Sequence, residues 1–197
     1  MKIQIASSSP GKLREYRELA AGSALEIELL PGIRELSPFD ESAPTFAENA
    51  LGKALHFSRY TNEIVLADDS GLVVPALGGE PGVRSARYAG PNATDADNVQ
   101  KLLREMAGKE GDARRARFVC VIVIARQRRA LVIASDFVNG SITHEPRGTN
   151  GFGYDPAFYF ADIGRTSAEI SSEEKNRRSH RGKAFRKVLE YLAPINF

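Results

Sequence analysis

Hydrophobic residues along this chain alternate between the two-residue period of β-strands and the 3.6-residue period of helices. Short apolar runs at Lys2–Ala6 and Ile64–Ala67 predict buried strands, and the alternating run Leu25–Leu30 predicts another. Apolar residues at helical spacing follow the first strand and predict a helix that continues as far as Gly22: Leu13, Tyr16, Leu19 and Ala20. The opening of the chain therefore predicts a strand, a helix and a second strand.

Capping residues place the starts of four helices. A serine beside a proline, as at Ser9-Pro10, favours a helix start because the hydroxyl caps and proline fits the first turn. Ser/Thr followed three residues later by an acid is the capping-box pattern. It occurs at Thr45 with Glu48 (helix to about Tyr60), Thr94 with Asp97 (to about Met106) and Ser171 with Glu174 (to about Leu192).

Two β-rich runs, Arg117–Ala125 and Ala130–Val138, flank the basic turn Arg126–Arg129 and predict a long antiparallel hairpin. Loops are expected at Pro31–Pro44 and Gly78–Gly90. Strands alternating with helices around an inserted hairpin predict an α/β protein with a mixed β-sheet.

Composition narrows the class of protein. The 197 residues suit one domain, 1–197, with room for two lobes, and 42% hydrophobic with 26% charged residues is ordinary for a globular protein. A net charge of +2 gives no support for nucleic acid or membrane as a partner. The short, polar N-terminus does not resemble a signal peptide, and the lone Cys120 suits a reducing compartment. We therefore expect a cytoplasmic location.

The most distinctive segment is Gly148–Pro156, in which three glycines are interleaved with Phe152 and Tyr154. Glycines allow a ligand to approach the backbone, aromatic faces can stack on a ring, and Asp155 could accept hydrogen bonds from the edge of that ring. The alternative is a glycine-rich turn whose aromatic residues only pack.

The segment Ser7-Ser8-Ser9-Pro10-Gly11-Lys12 joins a strand to a helix start. Free backbone N–H groups, the positive helix end and a lysine together can bind an anion. The spacing is not that of a P-loop, and an ordinary capped helix is the alternative.

Acidic residues are the candidates for metal binding. Asp68 and Asp69 are predicted at the end of an apolar strand, where two adjacent carboxylates repel each other and need a cation or strong hydrogen bonds. Asp40, Glu41 and Glu48 could lie at the same edge, and oxygen ligands of this kind suit Mg²⁺. The alternative is that Asp68 and Asp69 cap the following turn.

The last helical region carries a basic cluster. If that helix is continuous, Lys175, Ser179 and His180 lie near one face, with Arg181 at its margin. Lysine and arginine suit donation to phosphate or keto oxygens, and His180 suits a ligand contact better than catalysis. With the stacking loop, the anion site and the carboxylates, these residues predict a site for a nucleoside triphosphate with Mg²⁺.

Five segments together resemble, in order, the inosine triphosphate pyrophosphatase family, also called XTP/dITP diphosphatases. They are Thr45–Ala54, Ala67–Leu72, Leu77–Arg87, Gly151–Pro156 and Glu174–Arg181. The resemblance covers nearly the whole chain. It implies an elongated mixed sheet with two lobes and a central nucleotide cleft, a homodimer, Mg²⁺ dependence, and hydrolysis of ITP, dITP and XTP to the monophosphate and pyrophosphate, which removes deaminated purines from the nucleotide pool.

The resemblance also implies roles for individual residues. Asp69 is expected to bind the metal, and Glu41 to be a second metal ligand. Asp69 is also the candidate base for the attacking water, with the adjacent Asp68 as the alternative. Substrate contacts are expected from three places: the triphosphate loop Ser7, Ser8, Ser9, Pro10, Gly11 and Lys12; Ser70 beside the metal; and the base and nucleotide contacts Phe152, Gly153, Tyr154, Asp155, Lys175, His180 and Arg181.

One position departs from the family pattern, because Ser9 stands where asparagine is expected. A hydroxyl has one donor against two on an amide, so its phosphate contact is expected to be weaker or water-bridged. The opening Ala6–Pro10 also resembles Maf nucleotide pyrophosphatases, which prefer other nucleotides. A nucleotide sensor that binds without hydrolysis is the alternative from another class.

Overall fold

The computed structural model describes residues 1–193 of the chain. The strands are β1 (Lys2–Ile5), β2 (Glu26–Leu29), β3 (Ile64–Val73), β4 (Arg115–Arg126), β5 (Arg129–Ile142), β6 (Phe158–Phe160) and β7 (Arg165–Thr166). The α-helices are α1 (Pro10–Ala20), α2 (Phe46–Phe57), α3 (Asp95–Glu105), α4 (Ser172–Arg178) and α5 (His180–Leu192).

The seven strands form one mixed sheet in the order β2-β1-β3-β4-β5-β6-β7. Strand β1 pairs in parallel with β2 and with β3, whereas β6 pairs antiparallel with β5 and β7. The predicted α/β class with a mixed sheet is therefore confirmed. No helix in the described part of the chain is long and apolar enough to cross a membrane.

The chain divides into two compact units. The first unit comprises Met1–Asp69, Cys120–Asp136 and the residues from His180 onward, and the second unit comprises Ser70–Val119 and Phe137–Ser179.

In the first unit, the central strands are buried on both faces. Side chains alternate between the two faces of a strand, so Leu66 of β3 packs in a cluster with Ile5, Ile122 and Phe185. Its neighbour Val65 packs in a different cluster, with Ala50 and Val123 among others. Burial on both faces explains why β3 begins as a continuous apolar run rather than an alternating one.

The second unit has its own core. Leu72, Leu102, Met106 and Phe158 are completely buried there and belong to one cluster. Apolar residues of α3 recur at helical spacing and supply one side of this core, as the sequence pattern around Thr94–Met106 predicts.

The predicted helix starts are confirmed. Ser9, Thr45 and Ser171 each accept a hydrogen bond from a backbone N–H three residues on. At Thr94 both halves of the capping box form with Asp97. The second helix ends at Phe57, three residues before the predicted Tyr60.

The predicted hairpin is also confirmed, with longer strands than expected. Its turn is confined to Gln127 and Arg128, which both have positive φ, 49° and 63°. Two central residues in the left-handed region are typical of the tight turn whose twist matches that of the flanking strands.

Two expectations around β3 were wrong. The strand does not end at Ala67 but continues to Val73, so Asp68 and Asp69 lie within it rather than at its edge. The expected loop Gly78–Gly90 is partly ordered, because Gly82–Arg87 forms a 3₁₀-helix. Polar and glycine-rich segments usually end a strand or form a loop. Here tertiary contacts satisfy their polar groups, as at Asp68, Asp69 and Ser85, so regular structure continues through them.

The last helical region is not continuous. Ser179 is extended, with φ −65° and ψ 155°, and it separates α4 from α5. Serine readily leaves a helix because its hydroxyl competes for backbone groups. The prediction that Lys175, Ser179 and His180 share one helix face was therefore wrong, and Lys175 belongs to the second unit while His180 and Arg181 belong to the first.

Candidate active site

Asp68 is the most deeply buried charge in the first unit, with no exposed surface. Its Oδ1 accepts a hydrogen bond from Lys12 Nζ at 3.0 Å, and its Oδ2 lies 3.5 Å from Arg181 Nε. Burial by itself raises the pKa of Asp68, but the charges of Lys12 and Arg181 outweigh it and hold that pKa well below the usual value. Asp68 therefore stays ionised as the centre of an ion-pair cluster.

The meeting of Lys12 and Asp68 follows from the sheet. Ile5 of β1 is in register with Leu66 of the parallel strand β3. The segments that follow these two residues therefore start side by side and run in the same direction. The segment Ser7–Lys12 follows β1 and Asp68 follows Leu66 by two residues. Parallel pairing thus brings a helix start and a carboxylate together although they are 56 residues apart.

Arg181 extends this cluster. Its guanidinium pairs with Glu15 of α1 as well as with Asp68, and all three side chains are buried. Burial lowers the pKa of Arg181, yet Glu15 and Asp68 raise it well above the usual value, so the side chain remains a cation. The predicted nucleotide contact by Arg181 stays a prediction, since in the structure its guanidinium faces two carboxylates.

Asp69 points to the other face of β3, as the next residue of a strand must. Its Oδ2 accepts a hydrogen bond from Asn49 Nδ2 on α2 at 3.0 Å. The pKa of Asp69 is raised, chiefly by burial, while Lys53 and Asn49 oppose that effect. Their opposite orientations explain how two adjacent carboxylates coexist without pairing to one cation.

Lys53 is a site residue to which the sequence analysis gave no role. It lies one turn after Asn49 on α2, and its ammonium is 3.0 Å from Glu41 Oε1. The spacing Asn49–Lys53 was a usable signal, because residues four apart share a helix face. Lys53, Glu41 and Asp69 therefore form a second cluster of charged side chains, on the face of β3 opposite to Asp68.

Asp69 and Glu41 are the two carboxylates in this cluster that could bind Mg²⁺. Glu41 is near enough to Asp69 to raise its pKa further. Among residues 1–193, no three His, Cys, Asp or Glu side chains are grouped to hold a metal. Two carboxylates nevertheless fit Mg²⁺, which at nucleotide sites uses one or two carboxylates together with substrate phosphates.

Two hydroxyls of the predicted triphosphate loop organise the start of α1. Ser9 Oγ accepts a hydrogen bond from Lys12 N, and Ser7 Oγ accepts one from Ser9 N. Ser8 is exposed, and Pro10 occupies the first turn. Ser9 therefore acts as the helix cap in the structure, and its predicted contact with phosphate stays a prediction.

In the second unit, Asp155 organises the glycine-rich loop from the inside. Its Oδ2 accepts hydrogen bonds from Phe152 N, at 2.8 Å, and from Lys175 Nζ. A Cβ on Gly151 would lie 2.0 Å from that same oxygen, so glycine is required there. Asp155 is 3% exposed, and its predicted contact with the ring edge stays a prediction.

The two aromatic residues of the loop have different surroundings. Tyr154 is 4% exposed, packs in the second unit's core and donates a hydrogen bond from its hydroxyl to Ser85 O. Phe152 is half-buried, and Lys175 Nζ lies 4.8 Å from its ring centroid. Of the two predicted stacking residues, Phe152 is therefore the accessible one.

The remaining predicted contacts are placed as follows. Ser70 is half-buried on β3 next to Asp69, and His180 is buried at the start of α5. Gly153 is half-buried, with a positive φ of 63°. The roles of these residues toward a substrate stay predictions.

An α/β sheet in which an inner strand carries two buried carboxylates, one of them paired with two cations, defines an enzyme-like site, and comparison with known proteins agrees. A model of the Ham1 family matches residues 3–191. The dITP/XTP pyrophosphatase of Geobacillus kaustophilus (strain HTA426) is 47% identical over 194 residues, which cover 98% of this chain and 95% of that protein. The same-named protein of Bacillus licheniformis is 45% identical and covers 97% of each.

Solved structures give the same result. A HAM1 protein from Coxiella burnetii has a TM-score of 0.87 at 39% identity and covers 99% of this chain and 100% of its own. The Staphylococcus aureus Ham1 protein has a TM-score of 0.85 at 37% identity, with 98% of each chain covered. The chain belongs to the Ham1 family, and the resemblance to XTP/dITP diphosphatases is confirmed.

The role of Asp155 makes a prediction about Gly151. Gly151→Ala should lower the free energy of unfolding by about 2–5 kcal/mol, since it adds a collision with Asp155 to the cost of a side chain at φ +79°. Urea denaturation measures the change. Gly153→Ala is the matched control, because φ there is +63° and nothing lies within 4 Å of the added Cβ. It should cost only about 1–2 kcal/mol, and equal losses would contradict the role of Asp155.

Proposed function

We propose that this chain is a nucleoside triphosphate pyrophosphatase that hydrolyses ITP, dITP and XTP to the monophosphate and pyrophosphate. The names of its relatives support this, as proteins 47% and 45% identical over nearly their full length are dITP/XTP pyrophosphatases. The observation that carries the proposal is β3, which presents Asp69 beside Asn49 on one face and Asp68 beside Lys12 on the other.

Asp69 is the base in this proposal. Asp68 is fully buried and paired with Lys12 and Arg181, so it has a structural role and no access to an attacking water. Asp69 lies on the face of β3 that also carries Lys53 and Glu41. Its carboxylate would orient the water and take its proton, a role that typically contributes about 10²–10⁴-fold to rate.

Mg²⁺ is proposed as the cofactor, held by Glu41 and Asp69 together with phosphate oxygens. When bound, the ion would lower the pKa of a coordinated water and polarise the α-phosphate. Lys53, 3.0 Å from Glu41, would keep that carboxylate oriented and offset the acidic charge when no substrate is present.

Lys12 and the start of α1 would bind the departing pyrophosphate. The lysine side chain is 17% exposed, and Asp68 fixes its ammonium beside the positive end of the helix. An anion at this point would meet the lysine ammonium, which it would share with Asp68, and the positive end of the helix. The negative charge that develops on the leaving group is thereby stabilised.

The second unit would select the base. Phe152 offers the stacking face, and Lys175, held by Asp155, can only donate a hydrogen bond. Hypoxanthine and xanthine carry a keto oxygen at C6, whereas adenine carries an amino group. A mismatched buried polar group costs about 1–3 kcal/mol, so adenine would be disfavoured by roughly 5- to 150-fold.

The substrate class is tested by pyrophosphate release from ITP, dITP, XTP, GTP, ATP and dTTP, each with Mg²⁺ and with EDTA. We expect release from the first three, loss with EDTA and recovery on adding Mg²⁺. Release from none of the six would favour the nucleotide sensor. Preference for dTTP would favour Maf-like specificity.

The catalytic assignment is tested by Asp69→Asn. The amide keeps the size of the carboxylate but cannot accept a proton, so kcat for ITP should fall at least about 100-fold. Circular dichroism and thermal melting should show that the fold is kept. Asp112→Asn, at an exposed acid, is the control and should leave kcat unchanged. Near-normal turnover by Asp69→Asn would reject the assignment.

A cytoplasmic homodimer is the remaining part of the proposal, supported by the family resemblance. Light scattering on the purified protein should give about twice the chain mass of 21.5 kDa, and the native protein should fractionate with cytosolic markers. A mass of one chain at working concentration would reject the dimer.

A further inference from the structure

The glycine-rich loop of the second unit is fastened to the first residue of α3. Asp95 Oδ2 accepts a hydrogen bond from Gly153 N at 2.7 Å. Helix capping does not account for this bond, because Thr94 and Asp97 complete the capping box between themselves. Asp95 is exposed, so burial does not force its carboxylate to find a protein partner.

The same helix holds a second loop one turn later. Asn98 Oδ1 accepts a hydrogen bond from Ala89 N, and Asn98 Nδ2 donates one to Ala86 O. Tyr154 then links the two loops, since its hydroxyl donates to Ser85 O. The start of α3 is therefore a common support for the segments 85–89 and 153–154.

These contacts fix three consecutive residues of the loop. Asp155 accepts from Phe152 N, Asp95 accepts from Gly153 N, and Tyr154 is anchored in the core. Gly153 has a positive φ of 63°, and nothing within 4 Å would obstruct a side chain there. The peptide between Phe152 and Gly153 is held at both of its polar groups. Phe152 O accepts a long hydrogen bond from Asp155 N at 3.4 Å, and Gly153 N donates the shorter bond, 2.7 Å, to Asp95.

We propose that Asp95 is a positioning residue for purine recognition, which sets the orientation of the Phe152 ring through Gly153 N–H. This inference rests on the proposed function, in which Phe152 stacks on the base. Without the acceptor at Asp95, this peptide keeps only the 3.4 Å bond from Asp155 N to Phe152 O. It then rotates more easily, and the ring spends less time at its position 4.8 Å from Lys175 Nζ. Asp95 and Gly153 belong to the second unit, so the residues of the first unit that are proposed to bind phosphate are not altered by that change.

The test compares Asp95→Ala, Asp95→Asn and Asp97→Ala. Asp95→Ala should raise KM for ITP about 3- to 10-fold, the effect of losing one hydrogen bond, with kcat changed less than about 2-fold. Asp95→Asn keeps an acceptor oxygen and should restore most of the affinity. Asp97→Ala weakens the cap of the same helix without touching Gly153, so it should lower thermal stability but leave KM unchanged.

Two further measurements separate positioning from general damage. The inhibition constant of inorganic pyrophosphate should be the same in all variants, because pyrophosphate carries no purine ring for Phe152 to contact. Amide hydrogen exchange at Gly153, followed by NMR, should be faster in Asp95→Ala than in the wild type and in Asp97→Ala.

The outcomes are distinguishable from failure of the proposed function. If the wild type releases no pyrophosphate from ITP, the function fails, and Gly153 exchange alone still decides whether Asp95 holds the loop. If the wild type is active but Asp95→Ala matches Asp97→Ala in KM and in Gly153 exchange, the positioning role is overturned. An equal weakening of pyrophosphate inhibition would overturn it as well.

Discussion

The first unit depends on neutralising the charge of Asp68 inside the sheet. A fully buried carboxylate is tolerated only when it is paired and hydrogen-bonded. Lys12 and Arg181 supply that pairing, and Glu15 balances the second cation. Removing one partner from such a set typically costs about 3–5 kcal/mol because an uncompensated charge stays buried. The positions of α1, β3 and α5 are therefore tied to one set of charges.

This constraint also shapes its apolar neighbours. Cys120 of β4 lies 4.0 Å from Asp68 Oδ2, and burial together with the Asp68 charge raises the pKa of Cys120 to about 12. The thiol is therefore protonated and packs as a small apolar group, as its place in an apolar run predicts. A fixed Asp68 on one face of β3 leaves Asp69 on the other, so strand geometry separates the ion-paired carboxylate from the one that is proposed as the base.

Local signals predicted much of the fold. Ser9, Thr45, Thr94 and Ser171 marked four helix starts because capping is decided within a few residues. Hydrophobic runs located the strands and the hairpin for the same reason. Motif residues also predicted a site, although not the partners of each side chain. Lys53 and Asn49 were overlooked as partners of Glu41 and Asp69, since those contacts join residues that are far apart in the sequence.

The sequence by itself determined the class of fold, the helix starts and the residue types needed for a nucleotide site. Only the tertiary structure decided that β3 continues through Asp68 and Asp69, that Ser179 separates α4 from α5, and that Arg181 faces Glu15 and Asp68. The physical reason is that a buried polar residue is stable only if distant partners satisfy it. Sequence spacing carries no record of those partners, whereas caps and periodicity are local.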